Sequence, residues 1–162
     1  MAIHRLHLDQ EDEDFALFAI HCGEAPFKMA FLMNQSLKWQ LKRDREDIWV
    51  NKAGNQEQYP KYRYVSRHDQ IEHVLLSNMD RPEQGDNANQ PLGLFDGLNG
   101  PSFRATYLMP EFKKVDYLLK IEAPLVEGEI KLLVGQIKSI KEVVSTYLIP
   151  HKKIKNINPL IN

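Results

Sequence analysis

Residues 117–149 read YLLKIEAPLVEGEIKLLVGQIKSIKEVVSTYLI, and the fold turns on them. The segment 115–123 is apolar enough for a strand. Beyond Pro124, residues Val126, Ile130, Leu133, Ile137 and Ile140 recur at spacings of 4, 3, 4 and 3, which predicts a helix over 126–140. Residues 143–149, VVSTYLI, are β-branched and aromatic and predict a second strand. A strand–helix–strand crossover of this kind is right-handed when its strands run parallel in one sheet. Such an apolar stripe covers a sheet more often than it serves a dimer. Gly128 and Gly135 share one helix face, and each costs about 1 kcal/mol of helix propensity relative to Ala. Close approach of another backbone is the expectation that accounts for them.

Upstream, residues 104–109 predict a short strand, joined to 115–123 through Pro110. Proline has no N–H for a ladder, fixes its own φ and pushes Met109 towards extended geometry. Glu111 and Asp116 then bracket Lys113 and Lys114 at a chain reversal. Two carboxylates this close in sequence raise general acid–base chemistry, since glycosidases hold such a pair about 5–10 Å apart. No aromatic platform for a sugar accompanies them. The structural account is favoured: Asp116 caps backbone N–H groups, and Tyr117 packs while hydrogen-bonding through its hydroxyl. The functional expectation kept beside it is a partner surface at Pro110, Glu111, Val115, Asp116 and Tyr117.

The N-terminal half repeats the pattern. Residues 3–8, IHRLHL, predict an edge strand, 9–14 an acidic turn, and 15–22, FALFAIHC, a central strand covered on both faces. A helix over 25–38 follows, opened by Pro26 with Glu24 near its positive end. Phe27, Ala30, Phe31 and Met33 or Leu37 form its expected apolar stripe. Residues 39–43 return as a strand before a charged run. Thus 3–43 and 104–149 both read strand, strand, helix, strand, an echo of pattern without residue identity. Between them, 59–65 and 70–77 predict a hairpin. Residues 78–102 form an irregular loop whose Leu92, Leu94, Phe95 and Leu98 are expected to pack down. The tail over 150–162 is basic at first and expected to be extended.

The chain has 162 residues, 43% hydrophobic and 27% charged, which suits a single domain able to bury its own core. With 21 basic and 22 acidic side chains the net charge is −1, which argues against a general nucleic-acid binder. One cysteine, Cys22, excludes an internal disulfide and leaves no disulfide partner. No apolar run reaches the roughly 18 residues of a membrane span, and the N-terminus lacks a signal peptide's core. A cytoplasmic protein without a membrane is expected.

Several side chains invite chemistry. His4, His7 and His21 with Asp9, Asp12 and Asp14 suggest a metal, but His4 and His7 point to opposite strand faces, so no metal is expected. Cys22 before a helix start resembles an activated thiol, yet His21 faces the other way and cysteine is commonly buried. No Gly-rich phosphate loop is present, since the glycines at 93, 97 and 100 lack a following Lys-Ser/Thr. Lys61, Tyr62, Arg63 and Tyr64 interleave bases with aromatics, and with Lys152 and Lys153 they form the candidate RNA contact. No catalytic residue and no cofactor are expected.

The run Met109-Pro110-Glu111-Phe112-Lys113-Lys114-Val115-Asp116-Tyr117, with Leu118 to Glu122 after it, resembles the IPExxxVDY family of small bacterial proteins, Met109 standing where that family has Ile. The stretch DEDFALFAIH also looks like the family. The resemblance implies a soluble, cytoplasmic protein and supplies no catalytic residue. The fold expected is α+β: a mixed, mainly antiparallel sheet with two covering helices, in two strand–strand–helix–strand halves, the second like ACT and ferredoxin-like domains. The function expected is a non-enzymatic binding or adaptor protein contacting a protein or ribonucleoprotein partner. The alternatives are an RNA- or ribosome-associated protein and a small-molecule sensing homodimer of ACT-like type.

Overall fold

The computed structural model describes residues 15–52, 54–80 and 106–161. Along the chain these form β1 (Ala16–Cys22), α1 (Pro26–Leu37), β2 (Lys42–Arg43), β3 (Ile48–Lys52), β4 (Asn55–Tyr59), β5 (Lys61–Val65) and β6 (Glu72–Ser77). Then come β7 (Met79–Asp80), β8 (Thr106–Tyr107), β9 (Tyr117–Ile121), α2 (Glu127–Lys138), β10 (Val143–Leu148) and α3 (Asn158–Ile161). The strand expected at 3–8, the acidic turn, His4, His7 and the loop residues Leu92 to Leu98 lie outside the described residues.

Six strands make one sheet in the order β10-β1-β9-β6-β5-β2, and every neighbouring pair is antiparallel. β9 and β10 both run against β1, so they are parallel to each other with β1 between them. β1 and β6 likewise flank β9. Two crossovers, β1-α1-β6 and β9-α2-β10, therefore interleave, which is the β-α-β-β-α-β order of ferredoxin-like folds. The repeating unit is strand–helix–strand. Of the extra leading strand expected over 104–109, the described residues form only β8, which pairs with β7 in a separate ribbon. Of the strand expected over 39–43, only β2 forms.

Both helices cover one face of the sheet. Met29, Ala30 and Met33 of α1 and Leu133 and Ile137 of α2 pack on Phe18, Ile20, Leu75, Tyr117 and Leu119. The expected stripe of α1 is corrected here: Phe27 and Phe31 point outward, 70% and 61% exposed. Apolar residues surround that helix, so periodicity alone did not choose its buried side. At its end, Asn34 both accepts from Leu41 N–H (2.7 Å) and donates to Leu41 C=O (3.0 Å), pinning the returning chain. On α2 the Glu129 carboxylate accepts the Val126 N–H at 2.9 Å and caps the helix start. Cβ atoms added at Gly128 and Gly135 meet nothing within 4 Å, so no described backbone approaches them.

The second face is buried as well, under elements the sequence did not announce. Ile48 and Tyr59 of the β3–β4 hairpin, Leu108, Met109 and Val115, and Ile149 and Leu160 of the tail pack over Leu17, Ala19, Val74, Leu76 and Leu118. β1 and, apart from Lys120, β9 are accordingly apolar towards both faces. The tail is not extended: a 3-10 turn at His151–Lys153 leads to α3, whose Leu160 is buried. His151 packs against Phe15 in a tilted arrangement, ring centroids 4.5 Å apart and planes at 34°. Lys120, nearly buried on β9, donates from Nζ to the Leu160 C=O at 2.8 Å, which fastens the strap from below.

Candidate functional site

The 109–117 run folds inward. Pro110 opens a 3-10 turn (Pro110–Phe112) and is exposed, as are Lys113 and Lys114. Val115 and Tyr117 are 3% and 1% exposed, so a partner cannot reach their side chains in this fold. The Tyr117 hydroxyl donates to the Glu24 C=O. Asp116 Oδ2 accepts the Cys22 N–H at 2.8 Å. Glu111 Oε1 accepts the Lys155 N–H at 3.0 Å and the Asn156 N–H at 3.4 Å, so it holds the tail. The two carboxylates thus cap different segments, Asp116 the end of β1 and Glu111 the tail.

One residue the sequence kept silent organises this turn. Asn78 is fully buried; its Nδ2 donates to the Phe112 and Val115 carbonyls, both at 2.9 Å, and its Oδ1 accepts the Met109 N–H at 2.9 Å. Its backbone joins in, donating to Asp116 C=O and accepting from Leu108 N–H, each at 2.8 Å. A side-chain amide has both donor and acceptor ends, which is what this turn demands of a single residue.

The candidate RNA residues do not form one surface. Lys61 is 8% exposed and lies 3.4 Å from Asp44, and Tyr62 is 6% exposed within the helix-side core. Arg63 is exposed and Tyr64 half-buried. Lys152 and Lys153 are exposed beside β1, which stands three strand positions from β5 in the sheet, about 14 Å. The corrected picture is a buried half-strand and a separate basic turn.

Cys22 is free and fully buried. Burial pushes its thiol up, and the charges of Glu24, Asp116 and Glu142 push the same way against a backbone hydrogen bond at Glu24. That is the opposite of an activated nucleophile. His21 points towards Tyr147, its Nε2 lying 3.4 Å from the hydroxyl. Among the described residues no group of three His, Cys, Asp or Glu side chains converges as a metal cluster, and no helix is long and apolar enough to cross a membrane. A polar cluster beneath the β3–β4 hairpin satisfies itself: Tyr59 donates to Glu57 Oε2 at 2.6 Å, and Lys52 Nζ sits 3.4 Å from the same carboxylate. Burial foremost, with Glu57 beside it, drives the Tyr59 phenol far up, so it stays protonated.

The two ends of the sheet contrast sharply. At one, β2 is two residues long and both are charged, a protected edge. At the other, β10 presents VVSTYL, six residues without a charge or proline. Among the described residues nothing pairs with its outer side. Val144 and Tyr147 on it are 82% and 47% exposed. The register with β1 slips once, between His21 and Cys22, leaving Val144 as a bulge; from Ser145 to Leu148 the ladder is regular.

The chain matches no protein-family model, no curated protein and no solved structure.

Proposed function

We propose that this is a non-enzymatic binding or adaptor protein that adds an extended segment of a partner protein to its sheet along β10. The observation that carries the reading is the undefended edge. Six uncharged, strand-favouring residues offer an outer edge that no described residue pairs with, beside exposed Val144 and Tyr147. Main-chain pairing to such an edge supplies affinity, and pockets for alternate side chains supply specificity. A lone reduced cysteine suits work in the cytoplasm. Membership of the family that residues 109–117 resemble belongs to the same proposal; in it, the 109–117 turn braces the sheet from behind while the edge does the binding.

Val144→Lys places a charge at the exposed bulge, the device natural edges use against pairing. A tagged parent chain should retain a stoichiometric partner from its native cell, and the variant should lose it at unchanged thermal stability. Equal capture by both chains would reject β10 as the contact. Sedimentation of the pure parent as a dimer that Val144→Lys makes monomeric would reassign the edge to a second copy.

A further inference from the structure

Resting on the edge-pairing reading above, we propose that the segment added along β10 is fixed in register by one large apolar side chain with an acidic residue beside it. That side chain, a leucine, methionine or phenylalanine of the partner, enters a cleft at the end of β10. The cleft has a volume of about 230 Å³. Phe15 lines it ahead of β1, Leu125 and Ile130 from α2 and the residues before it, and Leu148 and Ile149 from the end of β10 and the position after it. His151 is the only lining residue with a polar side chain, and its ring already packs against Phe15. Pockets for whole small molecules run to about 300–1,000 Å³, so this apolar one suits a single side chain.

The ladder decides which partner residue meets the cleft. Ile149 N–H donates to Leu17 C=O at 2.7 Å, and the register pairs Tyr147 with Ala19 and Leu148 with Phe18. Bonded and non-bonded pairs alternate along an antiparallel ladder. Tyr147 therefore bonds to Ala19, whereas Thr146 and Leu148 turn their N–H and C=O groups away from β1, to the outer side. A strand added there pairs with Thr146 and Leu148. Residues directly opposite one another in a sheet share a face. The partner residue opposite Leu148 thus lies on the helix side, where Leu148 packs against the core and borders the cleft. Cleft and edge are therefore one continuous surface, joined at Leu148. Lys152 and Lys153 follow His151, are exposed, and have no carboxylate partner among the described residues. An acidic residue next to the apolar anchor complements their charge.

The test selects random twelve-residue peptides, displayed on phage, against the full chain. The best sequence is then synthesised with a fluorophore and titrated by anisotropy. Enriched sequences should align on one Leu, Met or Phe with Asp or Glu adjacent, inside a strand-favouring run. Replacing that apolar residue by Ala in the peptide should weaken binding at least about tenfold. Leu125→Trp, which fills the cleft, should weaken the selected peptide by a similar factor and leave its Ala version within about twofold. Val144→Lys should weaken both peptides. Lys152→Ala/Lys153→Ala should weaken the selected peptide about twofold to fivefold and flatten its salt dependence. Binding lost in Val144→Lys but kept in Leu125→Trp upholds the edge and rejects the anchor. A parent that selects no peptide, or binding untouched by Val144→Lys, rejects both. Unchanged affinity in the lysine double variant rejects the acidic neighbour. An unchanged urea midpoint verifies that each variant is folded, and Ile130→Phe fills the same cleft should Leu125→Trp unfold.

Discussion

The backbone N–H of Cys22 donates to Asp116 Oδ2 at 2.8 Å, so the last residue of β1 is fastened to the residue that leads into β9. Asp116 also gives its own N–H to Ile20 C=O and accepts Asn78 N–H at its carbonyl. Asp116→Ala leaves the Cys22 N–H without its acceptor and should cost about 1–3 kcal/mol in urea unfolding. Asp116→Asn keeps an oxygen in place and should cost about 1 kcal/mol or less. Equal losses from both would show that charge, not the cap, is what matters.

Asn78 should be the most sensitive polar position in the chain. Asn78→Ala strips partners from two carbonyls and one N–H in a fully buried turn, with an expected loss of about 3–5 kcal/mol. Asn78→Asp fits the same volume but sets a carboxylate against two carbonyl oxygens, and should be about as damaging. Thermal melts of the two variants beside the parent check this, and a loss under about 1 kcal/mol in either contradicts it.

Stability should fall on mild acidification because of His73. Burial holds its imidazole below the ordinary 6.5, against smaller opposing effects of the Ile71 carbonyl and Asp69. Between that lowered value and 6.5 the unfolded chain binds the proton and the folded chain does not, so stability rises with pH. The contribution is complete above about 6.5 and is lost progressively as pH drops below it. Urea midpoints measured from about pH 7.5 down to about pH 5 should decline, and His73→Phe should flatten that decline. The lowered carboxylates of Asp44 and Asp47 act only in a more acidic range, near and below 3.8.

Gly135→Ala should stabilise the protein by about 0.5–1 kcal/mol. The position is helical, exposed, free of positive φ and open around a built Cβ. Chemical denaturation gives the sign directly. A destabilised variant would mean that another backbone packs against this face in solution.

What the sequence conveyed follows the reach of its signals. The α2 spacing was legible because Leu133, Ile137 and Ile140 form one buried stripe, and β1 because it is apolar towards both faces. The β3–β4 hairpin was not, since Ile48-Trp49-Val50 is short and its partner strand NQEQY is mostly polar. The tail misled through HKKIK, whose charges hide that Ile154 and Leu160 pack on the sheet. Lys61 read as surface because its charge is neutralised by Asp44, a neighbour in space that strand alternation does not reveal. The caps of the 109–117 turn were half visible: Asp116 and Tyr117 were read as structural, but Asn78 acts on residues 31 to 37 positions away and left no local trace.

The central position of β1 has a cost during synthesis. Its neighbours are β9 and β10, and Cys22 waits 94 residues for Asp116 to emerge. At about 5–20 residues per second that delay is on the order of ten seconds. Through this interval an almost wholly apolar strand leaves the ribosome with no sheet to enter. Strand pairs closed over such separations also make folding slow. The nascent chain should therefore be a client for holding chaperones, released only once β9 and β10 arrive on either side of β1.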